Sequence, residues 1–108
     1  MALTHVPHEF PLYRRALDLD PVRRSQALIQ LASSLRNVGE TAEAIKILEG
    51  IRSDPTIGDA GEAFLALSLF DAGHPGDALR VALKALGKTL PLYRAVVDQY
   101  ADALVDPK

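Results

Sequence analysis

The sequence predicts an all-α protein, a solenoid of about five antiparallel helices, and three observations support this prediction. Apolar residues recur at helical rather than strand spacing almost everywhere in the chain. The chain also resembles itself when it is displaced so that Leu31 falls on Leu65. Helix-breaking residues separate the apolar stretches at regular places, namely Asp20-Pro21, Gly39, Asp54-Pro55, Gly73 with Pro75-Gly76, and Gly87 to Pro91.

Four apolar stripes predict the individual helices. In chain order the stripes are Leu28, Leu31, Leu35 and Val38; Ala44, Ile45, Ile47, Leu48 and Ile51; Phe64, Leu65, Leu67 and Leu69; and Leu79, Val81, Ala82, Leu83 and Leu86. Each stripe spans only a few turns, so each predicts a short helix that buries one face. A short helix cannot bury that face alone, and the helices are therefore expected to stack.

Small residues mark the places where two helices of a pair come closest. Antiparallel helices about 8–10 Å apart accept only small side chains where they cross, so Ala32 is predicted to meet Ala44 there. Gly39 is predicted to end the first helix in a left-handed conformation. The same displacement superposes Leu31 on Leu65, Ala32 on Ala66, Ser34 on Ser68, Leu35 on Leu69, Gly39 on Gly73 and Ala44 on Ala78.

The pattern L-A-x-x-L-x-x-x-G-x-x-x-x-A, at Leu31 to Ala44 and again at Leu65 to Ala78, resembles the tetratricopeptide repeat, a helix-turn-helix unit. The chain is similar to short bacterial tetratricopeptide-repeat proteins of unassigned function. The resemblance implies a right-handed α-α superhelix. It divides a single domain, 11–108, into a partial repeat (11–24), two repeats (25–58 and 59–91) and a capping helix (92–106), after an N-terminal tail (1–10) that is either ordered or mobile.

In this family the first helix of each pair lines a concave groove that holds an extended peptide or a partner helix. The resemblance therefore implies a non-catalytic protein interaction module, an adaptor or scaffold, in which Phe70 anchors the partner and Arg36 or Asn37 bonds its backbone or a carboxylate. Leu67 and Phe70 have an alternative role, which is to complete the core against the capping helix. The implied groove residues are Gln26, Ile29, Ser33, Arg36 and Asn37, then Ala60, Ala63, Leu67, Phe70 and Asp71, and finally Asp98 and Asp102.

The partial first repeat suggests a second function of a different class. It lacks a first helix of its own, because Pro7 and Pro11 interrupt the segment before it. The apolar face of its helix, with Leu12 and Leu17, is then open to a second copy, and the chain would be a self-assembling structural protein such as a homodimer. Burial of these leucines within one chain favours the adaptor, and their exposure favours assembly.

Other classes of function find little support. The chain has no cysteine, which excludes thiolate chemistry, and its net charge of −2 gives no general attraction for nucleic acid. A cytoplasmic location without membrane contact is expected, because there is no signal sequence and no apolar run of roughly 18 residues. We expect no cofactor and no metal, because His5 and His8 by themselves make a weak metal site and His74 is expected to cap the following helix. No catalytic motif is present, so no enzyme is predicted.

Overall fold

The computed structural model describes residues 11–106, and within this range it contains six helices and no strand. They are α1 (Pro11–Leu17), α2 (Pro21–Asn37), α3 (Thr41–Gly50), α4 (Ala60–Asp71), α5 (Pro75–Gly87) and α6 (Arg94–Asp102). The all-α prediction is confirmed. Six helices form instead of about five, because the two hairpins α2–α3 and α4–α5 have one helix before them and one after. The predicted tail, residues 1–10, lies outside the described residues.

Local sequence explains where α2 and α5 begin. The side chain of Asp20 accepts a hydrogen bond from the backbone N–H of Arg23 at 3.1 Å, which satisfies a free donor of the first turn. Pro21 follows at a position where a backbone N–H has no partner within the helix. Pro75 begins α5 in the same way. The prolines that break the apolar pattern therefore act as helix starts, and α2 begins ahead of the predicted repeat boundary at 25.

Two glycines end α2 and α4 with the same backbone geometry. Gly39 and Gly73 have φ angles of 87° and 89°, in the left-handed region that favours glycine. After each glycine the chain bonds back to the last turn: the Glu40 N–H donates to the Leu35 carbonyl at 2.8 Å, and the His74 N–H donates to the Leu69 carbonyl at 2.9 Å. These bonds satisfy carbonyl groups that the helix end leaves free. The predicted left-handed end at Gly39 is confirmed and recurs at the equivalent Gly73.

The core lies where α2, α3 and α4 meet. Consecutive helices pack on one another, and α2 also packs directly on α4. Ala32 and Ala44 are completely buried in this core, as the predicted close crossing of α2 and α3 requires. The molecule measures 44 × 35 × 16 Å, and the smallest dimension corresponds to two layers of helices. One layer contains α2 and α4, whose outer side carries the candidate site.

Candidate functional site

Helix α4 presents an open apolar face. Ala63, Leu67 and Phe70 are spaced by four and three residues, so they share one side of the helix, and all three are exposed. Leu67 retains 45% and Phe70 65% of its accessible surface. The core does not include them, because among the described helices the capping helix α6 packs on α5 and makes no extended contact with α4. Ala60, at the start of α4, is also exposed.

The predicted residues of α2 are more covered than those of α4. Gln26 and Asn37 are exposed, and Ser33 and Arg36 are half-buried. Ile29 differs from the expectation, because its side chain is only 8% exposed and belongs to the core. The physical reason is that α4 packs on α2 and covers the side of the helix where Ile29 lies.

Arg36 and Asp71 connect the C-terminal ends of α2 and α4. The Nε atom of Arg36 lies 2.6 Å from Oδ2 of Asp71, with side chains that are 27% and 34% exposed. Two of the predicted groove residues are thus brought together. The guanidinium already has a carboxylate partner, so it is less available for the predicted role of bonding a ligand.

Asp98 and Asp102 of α6 both face Lys84 of α5. The ammonium group of Lys84 lies 3.3 Å from Asp98 and 2.6 Å from Asp102. The hydrogen bond to Asp102 is the largest effect on the pKa of Lys84, which is raised despite the opposing effect of desolvation. The sequence analysis did not identify Lys84, because no regular spacing links it to α6 and only the tertiary fold makes them neighbours.

A cavity of about 390 Å³ lies between α5 and α6, lined by Lys84, Gly87, Lys88, Arg94, Ala95 and Asp98. Its cationic groups have partners: Lys88 pairs with Asp59 at 3.1 Å, and Arg94 donates to the Leu90 carbonyl at 2.5 Å. The cavity therefore has no strong surplus of either charge with which to hold a small ion.

Asp106 fastens the C-terminal segment to the start of α5. Its carboxylate accepts hydrogen bonds from the backbone N–H groups of Gly76 and Asp77, and Arg80 donates to the Leu104 carbonyl at 2.8 Å. Desolvation, the largest single effect, raises the pKa of Asp106, but the two backbone bonds and the nearby His74 together outweigh it and lower the pKa. A Cβ atom at Gly76 would lie 2.8 Å from this carboxylate, so the close approach requires glycine.

His74, Asp77 and Asp106 form a group whose potential metal-ligand atoms all lie within 4.8 Å of one another. The surroundings, however, are unfavourable for a cation. The group stands at the positive end of the α5 dipole, and Asp77 is paired with Arg80. Both carboxylate oxygens of Asp106 already accept backbone hydrogen bonds. The arrangement fits a helix cap better than a metal centre.

Helix α1 is only partly covered. Ala16 is buried, whereas Leu17 is 45% exposed; the side chain of Leu12 lies outside the described part of the chain. A cavity of about 230 Å³ separates α1 from α2, lined by Arg15, Ala16, Leu19, Ala27, Gln30, Leu31 and Ser34. The exposure of Leu17 meets one part of the condition for self-assembly, which named both Leu12 and Leu17.

Comparisons with known proteins identify the family. Searches of curated proteins and of solved structures find no match. Across residues 11–106, every helix is too short or too polar to traverse a lipid bilayer. A sequence model of the tetratrico peptide repeat family matches residues 3–104, which confirms the resemblance seen in the repeated motif; this family in general provides protein interaction modules. The match covers most of the chain, and the first helices of the two hairpins end alike. The chain therefore belongs to the tetratrico peptide repeat family.

Proposed function

We propose that this chain is a non-catalytic adaptor that binds a peptide or helix of another protein on the outer face of α2 and α4. The observation that carries the proposal is the exposure of Leu67 and Phe70 side by side on α4. Single exposed apolar residues are ordinary on protein surfaces, but an exposed aromatic next to an exposed leucine is typical of a contact site. The general role of the family in protein interaction supports the same function.

The residues around this apolar pair suggest how a partner is oriented. Gln26 and Asn37 are exposed on α2, and Ser33 is half-buried between them. Amide and hydroxyl groups of this kind supply directed hydrogen bonds at the rim of an apolar contact. In this proposal Leu67 and Phe70 provide most of the affinity, and the polar residues of α2 select the orientation of the partner.

The proposal is tested by affinity capture from a lysate of the source organism. Three proteins serve as bait: the wild type, a Leu67→Ser/Phe70→Ser double variant, and Leu79→Ser as a matched control, because Leu79 is 49% exposed but lies on α5. All three substituted side chains are exposed, so circular dichroism should show unchanged helix content. We expect proteins held by the wild type and the control to be lost with the double variant. Equal retention by all three baits would refute binding through this face.

Self-assembly is the second candidate, and the exposure of Leu17 on α1 favours it. Sedimentation velocity over a range of concentrations tests it with the wild type and a Leu17→Lys variant. A dimer in the wild type that dissociates in the variant would support assembly through α1. A wild type that is monomeric at every concentration would rule this candidate out.

A further inference from the structure

The contact between α2 and α4 shows what covers one side of the first helix of a hairpin in this protein. Ile29, Ser33 and Arg36 lie on one side of α2, where Ile29 is buried and the other two are half-buried. The helix that packs there is α4, and the ion pair from Arg36 to its Asp71 lies at one end of the contact. This side of a first helix thus accommodates another helix.

The equivalent side of α4 carries no helix within residues 11–106. Ala63, Leu67 and Phe70 occupy the repeat positions that Ile29, Ser33 and Arg36 occupy on α2, and all three are exposed. Helix α6 would be the next first helix of the series, and it packs on α5 as α4 packs on α3, but it makes no extended contact with α4.

Exposure along α6 confirms that it does not stack on α4 as α4 stacks on α2. When Leu65 is aligned with Tyr100, the buried Gly61 and Leu65 of α4 correspond to Val96 and Tyr100 of α6, and both of these are exposed. On α2, this side of the helix is covered by α4. The equivalent side of α4 is therefore open in the described part of the chain.

Resting on the proposed function, we infer that the ligand of this face is an amphipathic helix that packs on α4 as α4 packs on α2. An extended segment would bring backbone N–H and C=O groups against Ala63, Leu67 and Phe70, whose side chains offer them no hydrogen bonds. Buried backbone groups without partners are costly, and a helix satisfies these groups internally. An apolar face without polar side chains thus selects a helix over a strand-like peptide.

Charge specifies the part of the ligand that contacts Phe70. At the equivalent position α2 presents Arg36, which pairs with Asp71 of α4. Phe70 offers no such partner, so the ligand residue opposite it is apolar where α4 itself has aspartate. Asp71, the charged residue next to Phe70, already has a partner within the chain in Arg36. The ligand therefore presents an uncharged stripe, and its affinity should depend little on salt.

The probe for this inference is a synthetic peptide of residues 59–72, because α4 is the helix that this kind of face already binds. It is used in two forms, with the natural Asp71 and with Asp71→Leu, and fluorescence anisotropy measures its dissociation constant with the full chain. The wild type should bind the Asp71→Leu form about tenfold more tightly than the natural form. A Phe70→Arg variant should reverse this preference, because it recreates the pair seen between Arg36 and Asp71. High salt should weaken only that second combination.

A third peptide, carrying Ala66→Pro, cannot form the helix and should not bind. If it bound as tightly as the Asp71→Leu form, the ligand would be extended and the helix inference would be wrong, although the face would remain a binding site. If the Leu67→Ser/Phe70→Ser protein bound every peptide as the wild type does, the face would be the wrong site and the proposed function would fail as well. No binding of any peptide, or light scattering that shows a second copy covering the face, would overturn the inference while the lysate capture still decides the function.

Discussion

Gly39 and Gly73 show how a single residue type determines a helix end in this protein. Both hold a positive φ angle, and apart from the adjoining residues of the chain no described atom lies within 4 Å of a Cβ built on either glycine. Steric crowding therefore does not explain glycine at these positions. The backbone conformation does, because a side chain in the left-handed region is strained whatever space surrounds it.

Replacing either glycine by alanine should destabilise the fold by backbone strain alone. We expect Gly39→Ala and Gly73→Ala each to lower the free energy of unfolding by about 1–2 kcal/mol, measured by denaturant titration. Gly50→Ala is the matched control, because Gly50 also has free space around it but no positive φ angle. A loss as large in the control would contradict the strain argument.

The close crossing of α2 and α3 depends on Ala44, which has no accessible surface. Ala44→Leu should overpack the crossing and cost about 1–3 kcal/mol of unfolding free energy. Ala42→Leu on the same helix is the control, because Ala42 is exposed and a larger side chain there meets solvent. Thermal melting that is unchanged for Ala44→Leu would show that Ala44 does not lie at the crossing.

Helix α5 depends on a residue outside itself for its first turn. Its preceding residue, His74, makes no side-chain capping bond, and the N–H groups of Gly76 and Asp77 bond instead to Asp106. A carboxylate at the positive end of a helix is stabilising. The capping interaction thus joins two elements, and it holds the C-terminal segment against α5.

Asp106→Asn should remove a pH-dependent part of the stability. The folded state lowers the pKa of Asp106 below its ordinary value of 3.8, so its contribution is present above that value and is lost as pH falls through the lowered pKa. We expect the wild type to exceed the variant in stability at neutral pH, and the difference to shrink in acid. Urea titrations over the acid range measure it. A difference that does not change with pH would mean that the charge of Asp106 contributes nothing.

The whole molecule is a short stack in which each helix depends on its neighbours. Helix α4 packs on α2, α3 and α5, whereas among the described helices α6 makes extended contact with α5 alone. In such stacks stability is roughly the sum of terms within units and between adjacent units. The terminal helix has fewer of these terms, so α6 should open more readily than α4.

Hydrogen exchange tests this gradient of stability. Amides of α6 should exchange faster than those of α4, and Lys84→Met should accelerate α6 further because it removes the pairs to Asp98 and Asp102. Lys88→Met is the control, since Lys88 pairs with Asp59 and not with α6. Protection of α6 equal to that of α4 would contradict the nearest-neighbour picture.

The all-α fold, the repeat and the glycine-terminated helix ends could be predicted from the sequence, because these features follow from local rules. The spacing of apolar residues marks the buried side of a helix, proline begins a helix, and glycine ends one; Gly39 and Gly73 satisfy the same rule in successive repeats. The family motif also pointed to Leu67 and Phe70. Their place on an open surface was one of two alternatives that the pattern allowed.

Which apolar sides are covered could be learned only from the packing of the helices. Ile29 and Ala63 occupy equivalent positions, yet Ile29 is buried beneath α4, and Ala63 is exposed because none of the described helices follows on that side. Leu65 and Tyr100 differ in the same way. Local periodicity gives the direction of a side chain and not the neighbour that covers it. That neighbour depends on contacts between distant residues, such as Lys84 with Asp102 and Gly76 with Asp106, which hold α6 on α5 and leave α4 open.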